Sequence, residues 1–332
     1  MERRAKRLAT YAASAGLSAF GVACAVSREL QRRHARASGA DDPELTMPDD
    51  AVHRTLPMRD GSEIHVIERG EGPPVLLLHG VGLSAEVWSY QLRDLAWSHR
   101  VVAADLRGHG GSSIGTEGVT IQAMAGDLAE VSEALDLERA VVAGHSMGGM
   151  VCQRALRTHP ELLGRRIGAV ALISTSCGVG LPVPSWGRLM GAVGEVAGAG
   201  VTILGPGRPF IPSGEAGYLA SRLGFGRRAP RAQLASTLRM LQAVPPEVFA
   251  KLIGEVLGFE ERAAFPDPKV PVAIAVGVSD RLTPPRAARR MASNFPNASL
   301  EEHEDAGHML MYERRDEISD LLDALSTRAL AY

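Results

Sequence analysis

Three residues of this chain have the types and the order of an acyl-transfer centre: Ser146, Asp280 and His308. A serine hydroxyl is a poor nucleophile near neutral pH. It needs a base to take its proton, and the base needs an acid to orient it. Ser146 lies in Gly144-His145-Ser146-Met147-Gly148, directly after the apolar run Ala140-Val141-Val142-Ala143, which predicts a short buried strand. The segment 149–159 predicts a helix, with Met150, Val151, Ala155 and Leu156 as its apolar positions. A serine at so sharp a strand-to-helix turn is strained, and its hydroxyl is pushed into the open. Flanking glycines are required because a Cβ there would strike the neighbouring strand or helix. The same turn aims the Met147 backbone N–H beside the Ser146 hydroxyl, as half of an oxyanion hole.

The five-residue pattern occurs twice. Gly111-Ser112-Ser113-Ile114-Gly115 also matches, but no buried strand precedes it and polar or Gly-rich residues surround it. A flexible loop accounts for that copy, so context selects Ser146.

Asp280 follows the apolar run Val272-Ala273-Ile274-Ala275-Val276, at the end of a predicted buried strand. Loops at that end of a parallel sheet are where sites are built. His308 comes 28 residues later in Asp305-Ala306-Gly307-His308-Met309, after a short strand predicted at 298–301. The order Ser, Asp, His is that of a strand–turn–helix nucleophile architecture. Other residues compete less well. Asp305 is too close in sequence to His308, and Asp267 precedes its strand. His145 adjoins Ser146 and cannot easily fold back onto the same hydroxyl. His109, in Asp105-Leu106-Arg107-Gly108-His109-Gly110, reads as a structural turn, and His79 as a residue shaping the loop after its strand. In that loop, His79-Gly80-Val81-Gly82, the Val81 N–H is the expected second oxyanion donor, the glycine before it letting the loop fold toward Ser146.

These residues need a scaffold. Ile64–Ile67, Val75–Leu78, Val101–Ala104 and Ala169–Ile173 predict further strands, most of them continuous apolar runs as in strands covered on both faces. Gln122–Leu135 predicts an amphipathic helix. The alternation implies an α/β fold: a mostly parallel, eight-stranded-type sheet with helices on both faces. It spans 51–177 and 267–332, interrupted by an insertion at 178–266 without strand signals, expected to be a helical cap. The insertion's first part, Gly178–Gly207, carries only Arg188 and Glu195 as charges and predicts an apolar wall over the site. Its arginines at 208, 222, 227, 228, 231 and 239 read as a solvated face.

Residues 1–50 stand apart. Leu8–Val26 is uncharged, with arginines on both sides, and admits three readings: a membrane anchor, a signal peptide cleaved near Ala23-Cys24-Ala25, or a helix lying on a surface. Basic residues soon after the cleavage site disfavour export, so membrane association through 8–26 is the expectation, with a secreted or cytoplasmic protein as the alternative. Residues 37–50, with Gly39, Pro43 and Pro48, predict a linker. The 332 residues are 45% hydrophobic and 22% charged, enough for a sizeable core, and a net charge of −2 gives no pull toward nucleic acid. The three cysteines, Cys24, Cys152 and Cys177, form neither a metal-ligand pattern nor a disulfide framework. Oligomeric state stays open.

Leu78-His79-Gly80, Asp105-Leu106-Arg107-Gly108-His109-Gly110, Gly144-His145-Ser146-Met147-Gly148-Gly149 and Ala306-Gly307-His308 resemble the α/β-hydrolase superfamily, over about Val52 to Leu325. The resemblance implies Ser146 as nucleophile, Asp280 as triad acid, His308 as general base, and Val81 and Met147 as oxyanion donors. It is nearest the esterase, lipase and enol-lactonase branch. Epoxide hydrolases and haloalkane dehalogenases have a carboxylate where this chain has Ser146. Carbon–carbon bond hydrolases continue their His-Gly with Gly-Pro-Gly-Ala, where this chain reads Val81-Gly82-Leu83-Ser84. The implied activity is cleavage of a carboxylic ester of an apolar small molecule, without metal or organic cofactor. A lactonase or thioesterase, a cofactor-free haloperoxidase or perhydrolase, and a non-catalytic binding member of the fold are the alternatives.

Overall fold

The computed structural model describes residues 42–178, 215–261, 263–265 and 270–331. Leu8–Val26, most of Gly178–Gly207, Arg208 and Asp267 lie outside the described residues. Eight strands form one sheet: β1 (Val52–Pro57), β2 (Glu63–Arg69), β3 (Pro74–Leu78), β4 (Arg100–Ala104), β5 (Ala140–His145), β6 (Ile167–Ile173), β7 (Val272–Gly277) and β8 (Ala298–His303). Their spatial order is β1-β2-β4-β3-β5-β6-β7-β8. β2 runs antiparallel to both β1 and β4, and the pairs from β4 through β8 are parallel. The expectation of a mostly parallel eight-stranded sheet is met.

The apolar runs fill both faces of this sheet. Because side chains alternate along a strand, Leu76, Leu78, Val102, Val142 and Leu172 enter one core, packed by α2 (Ile121–Ala134) and α3 (Met147–Thr158). Val75, Leu77, Val101, Val141 and Ala171 enter the other, with α1 (Ser89–Asp94) and α9 (Arg315–Ala331) supplying Leu92, Ile318 and Leu322. The helix predicted from Gln122 to Leu135 starts one residue earlier, where the Thr120 side chain accepts from Ala123 N as its N-cap. Within the insertion, α4 (Glu215–Arg222), α5 (Arg231–Ala243) and α6 (Pro246–Gly258) are helical. Arg222 departs from the expected solvated face: it is half-buried and donates to the Phe225 carbonyl at 2.9 Å, closing the end of α4. Two short helices, α7 (Pro285–Ala292) and α8 (Leu310–Glu313), flank β8.

One buried ionic cluster braces the loop after β4. Arg107 reaches Asp127 on α2 through both Nε (2.7 Å) and Nη2, and Asp60 through Nη1 at 2.8 Å. All three side chains are at most 7% exposed. Burial raises the Asp127 pKa despite the guanidinium beside it. At Asp60 the hydrogen bonds from Ser62, assisted by Arg107, prevail over burial and lower it. Removing the guanidinium strands two buried carboxylates. Arg107→Met is expected to lower the unfolding free energy by about 3–5 kcal/mol, read by urea denaturation. A loss below about 1 kcal/mol would mean that water or a nearby cation takes over the role.

Candidate active site

The turn from β5 into α3 is as sharp as its glycines imply. Ser146 sits at φ 52°, ψ −114° at the N-cap of α3, a conformation that L-residues rarely adopt. A Cβ on Gly144 would lie 2.4 Å from the Gly148 carbonyl, and one on Gly148 would lie 2.5 Å from the Leu78 carbonyl oxygen. Only glycine allows strand and helix to cross so closely. Ser146 is held by its N–H donating to the Ile173 carbonyl (3.0 Å) and by Thr175 Oγ1 donating to its own carbonyl (2.7 Å). Its hydroxyl makes no hydrogen bond among the described residues, and the residue is 8% exposed.

Asp280 and His308 meet. β7 and β8 pair in parallel, and the loops beyond them bring His308 Nδ1 to 2.9 Å from Asp280 Oδ2. The other oxygen, Asp280 Oδ1, accepts from the N–H groups of Leu282 (2.8 Å) and Thr283 (2.9 Å), while Thr283 Oγ1 donates to Oδ2 at 2.8 Å. A carboxylate so held keeps its direction. It can accept only Nδ1–H from the ring, so His308 carries its free lone pair on Nε2, the atom a general base needs. Asp305 does not reach the ring. It lies at φ 59° and makes a largely exposed ion pair with Arg227 at 3.7 Å. Thr283 was not singled out in the sequence. Its place three residues after Asp280, the spacing of an Asx-type turn, is the signal that could have found it.

The loop carrying His308 is gripped from the insertion. Gly224 O accepts from both His308 N (2.8 Å) and Met309 N (3.1 Å). Glu313 on α8 accepts from Gly226 N (2.7 Å) and Gly307 N (2.9 Å). Burial raises the Glu313 pKa against these bonds. His145, next to the serine, turns away from it. Its Nε2 donates to the His308 carbonyl at 2.9 Å, the two rings lie 4.7 Å apart, and complete burial drives its pKa well down.

Val81 and Met147 carry the two N–H groups expected as oxyanion donors. Met147 is the first residue of α3, so its N–H has no helical acceptor. Val81 lies in a turn closed by Leu83 N donating to Gly80 O at 3.1 Å, with Gly82 at φ 74°. The turn comes close to the elbow: a Cβ on Gly80 would be 3.0 Å from Ser146 Cβ. Above it press Leu241 of α5 and Phe249 of α6, both of which a Cβ on Gly82 would strike. Among the described residues, neither the Val81 nor the Met147 N–H donates to a protein acceptor.

The second Gly-x-Ser-x-Gly copy is occupied by sheet contacts. Ser113 Oγ accepts from Glu63 N at 2.8 Å, and Ser112 Oγ accepts from His65 N and donates to the Asp105 carbonyl. No cluster of His, Cys, Asp or Glu suited to a metal ion occurs among the described residues. Nor, among them, is any helix long and apolar enough to cross a membrane. Cys152 is buried in α3, its thiol pushed up to about 12 by burial.

Known proteins resemble this chain to different depths. A putative non-heme haloperoxidase of Mycobacterium phage D29 is 31% identical over 255 residues, which cover 75% of this chain and 86% of the relative. An (E)-2-((N-methylformamido)methylene)succinate hydrolase of Acinetobacter baylyi is 32% identical over 114 residues, 34% of this chain and only 43% of that enzyme. Among solved structures, a thermophilic esterase from Thermogutta terrifontis superposes with a TM-score of 0.68 at 25% identity, covering 84% of this chain and 99% of that one. The model of the Alpha/beta hydrolase family matches residues 75–321, strand β3 through helix α9. The chain belongs to the alpha/beta hydrolase family.

Proposed function

We propose that this hydrolase cleaves carboxylic esters of apolar substrates, with Ser146 as nucleophile, His308 as general base and acid, Asp280 as orienting acid, and the N–H groups of Val81 and Met147 as oxyanion donors. The observation that carries this reading is the buried Asp280–His308 pair at the C-terminal ends of β7 and β8, on the same sheet edge as the strained Ser146 elbow. In the proposed reaction Ser146 Oγ attacks the acyl carbon while His308 Nε2 takes its proton. The carbonyl π pair moves to oxygen and is held by the two N–H donors. His308 returns the proton to the departing alkoxide, leaving an acyl-enzyme and free alcohol. Water then attacks the acyl-enzyme by the same route, releasing the carboxylic acid and restoring Ser146.

A second reading rests on the phage relative, a putative haloperoxidase. If hydrogen peroxide replaces water in the second half, the same acyl-enzyme yields a peracid. Lactones and thioesters would enter the first half unchanged. An ester, lactone and thioester panel, with and without peroxide, separates these substrates.

The elbow test is direct. Ser146→Ala is expected to lower turnover of a butyrate ester by about a thousandfold or more and to abolish fluorophosphonate labelling, with circular dichroism unchanged. Ser113→Ala should keep both activities. The reverse result would move the nucleophile to the loop.

Leu241, Val248 and Phe249 support the apolar preference, since they press on the glycines of the oxyanion and β4 loops. The weakly charged stretch Gly178–Gly207 points the same way. Along a series of acyl chains, kcat/KM is expected to rise by at most about fourfold per methylene, from ~0.8 kcal/mol per buried CH₂, and then level off. Charged short esters turned over faster than hexanoate esters would count against the wall.

For residues 8–26 we propose association with a membrane. The full chain should then sediment with membranes and resist high-salt washing, whereas a chain starting at Asp42 should be soluble and equally active. Full-length protein found only in the supernatant would remove the anchor.

A further inference from the structure

The loop that carries Val81 is fastened by two buried histidines that reach across to one another's loops. His79 Nε2 accepts from Leu106 N at 2.9 Å, and its Nδ1 lies 2.8 Å from the Gly80 carbonyl. His109 Nε2 accepts from Gly82 N at 3.0 Å, and its Nδ1 lies 3.2 Å from the Arg107 carbonyl. In each ring one nitrogen faces an N–H and the other a C=O. Each is therefore neutral, with its proton on Nδ1 and its lone pair on Nε2. The rings meet edge to face with centroids 4.8 Å apart, and both are at most 2% exposed.

The geometry has a direct consequence for Val81. Gly80 O and Val81 N–H belong to one trans peptide and point in opposite directions. His79 and Leu83 take the oxygen, so the Val81 N–H faces the opposite way, in the loop that passes against the Ser146 elbow. Accepting two donors, His79 Nδ1–H and Leu83 N–H, also polarises that peptide and strengthens its N–H as a donor. His109 holds the following peptide through Gly82 N–H. We propose that His79 and His109 are positioning residues that fix the two peptide planes on either side of Val81, so that its N–H stands ready for developing negative charge. This rests on the serine hydrolase reading above.

The charged and titratable neighbours are compatible with two neutral rings. Asp105 is the nearest carboxylate. Burial disfavours its charge, but the hydrogen bond from His65 and the N–H groups of Ala85 and Gly111 hold it below its ordinary pKa. His65 passes on to His53 at the edge of the sheet, at 3.0 Å. Arg107 offers His109 only its carbonyl, its guanidinium being spent on Asp60 and Asp127. Burial lowers the pKa of His79 and pushes that of His109 down to about 3.

The test uses Gln and Asn as replacements. The Gln amide oxygen falls where the accepting Nε2 stood, and the Asn amide nitrogen falls where the donating Nδ1 stood. His109→Asn should lower kcat for a butyrate ester by about 100-fold, the order lost with one oxyanion donor, with KM within about threefold. Affinity for an alkyl trifluoromethyl ketone, whose serine adduct carries the oxyanion, should fall by the same factor. His109→Gln should keep both within about fivefold of wild type. For His79, whose Nδ1 holds the Gly80 carbonyl of the Val81 peptide and whose Nε2 ties that loop to Leu106, Gln and Asn should each cost kcat and ketone affinity in parallel. A fall in kcat with unchanged ketone affinity, or equal losses in His109→Gln and His109→Asn, overturns the proposal. Imidazole ¹⁵N NMR of the wild-type chain decides independently of folding in the variants: both rings must show protonated Nδ1 and bare Nε2, and Nε2–H at either one overturns it. A wild-type chain that neither cleaves esters nor binds the ketone is a failure of the hydrolase reading, and the NMR result then still settles whether the two rings clasp the loop.

Discussion

The tight crossing of β5 over the start of α3 is the constraint from which the rest of the site follows. Gly144 and Gly148 come so close that no β-carbon fits between them, and Ser146 must bridge them in a conformation that costs on the order of 1–3 kcal/mol. Such strain persists only where the surroundings over-determine it. Here β5 lies at the middle of the sheet, paired to β3 on one side and β6 on the other, with all six of its residues buried. The Ser146 N–H and carbonyl are each taken by residues beyond the end of β6 or within it, Thr175 and Ile173. Every other group of the site then comes from a loop at the same sheet edge. The loop after β3 brings Val81, that after β7 brings Asp280, and that after β8 brings His308.

What was legible in the sequence was local or periodic. The buried strands show as apolar runs because both their faces are covered. The elbow shows because strand, glycine spacing and helix fall within twenty residues. Asp280 could be preferred over Asp305 because it follows a strand that reads clearly, although nothing in the sequence reports the 2.9 Å contact with His308. β1 was the opposite case: Val52–Pro57 is an edge strand exposed along almost its whole length, so it has no buried periodicity and exists through its pairing with β2. His109 reads as a turn residue and is one by position. Its acceptor role toward Gly82, 27 residues away, depends on β3 and β4 being neighbours in the sheet. Glu313 was missed for the same reason, since both of its partners come from loops brought together only by the fold.

The insertion belongs to the site's mechanics as much as to its walls. Gly226 and Gly307 approach so closely that a Cβ on either would strike the backbone of the other, and Glu313 bridges their two N–H groups. Gly224 then supplies the acceptor for the His308 N–H. The segment that begins the described half of the insertion and the loop that carries the proposed base therefore pack as one unit. A shift of α4 relative to the sheet would be felt at His308 before it was felt at Asp280, whose carboxylate is anchored within its own turn by Leu282 and Thr283.

Four histidines line this region, and their surroundings divide the labour of carrying protons. His79, His109 and His145 are buried, and burial lowers the pKa of each, because desolvation outweighs the Asp105 carboxylate at His79 and His109 and the hydrogen bond to the His308 carbonyl at His145. Their ring nitrogens serve backbone partners: Leu106 and Gly80 for His79, Gly82 and Arg107 for His109, and the His308 carbonyl for His145. At His79 and His109 a second proton would displace a backbone donor from Nε2. His308 is the ring of the four that has a carboxylate against it, itself held in place by three further hydrogen bonds. The same imidazole side chain thus serves backbone partners at three positions and a carboxylate at the fourth, and the difference is set by which partner the fold places on Nδ1: a carbonyl at His79 and His109, none at His145, and a carboxylate at His308.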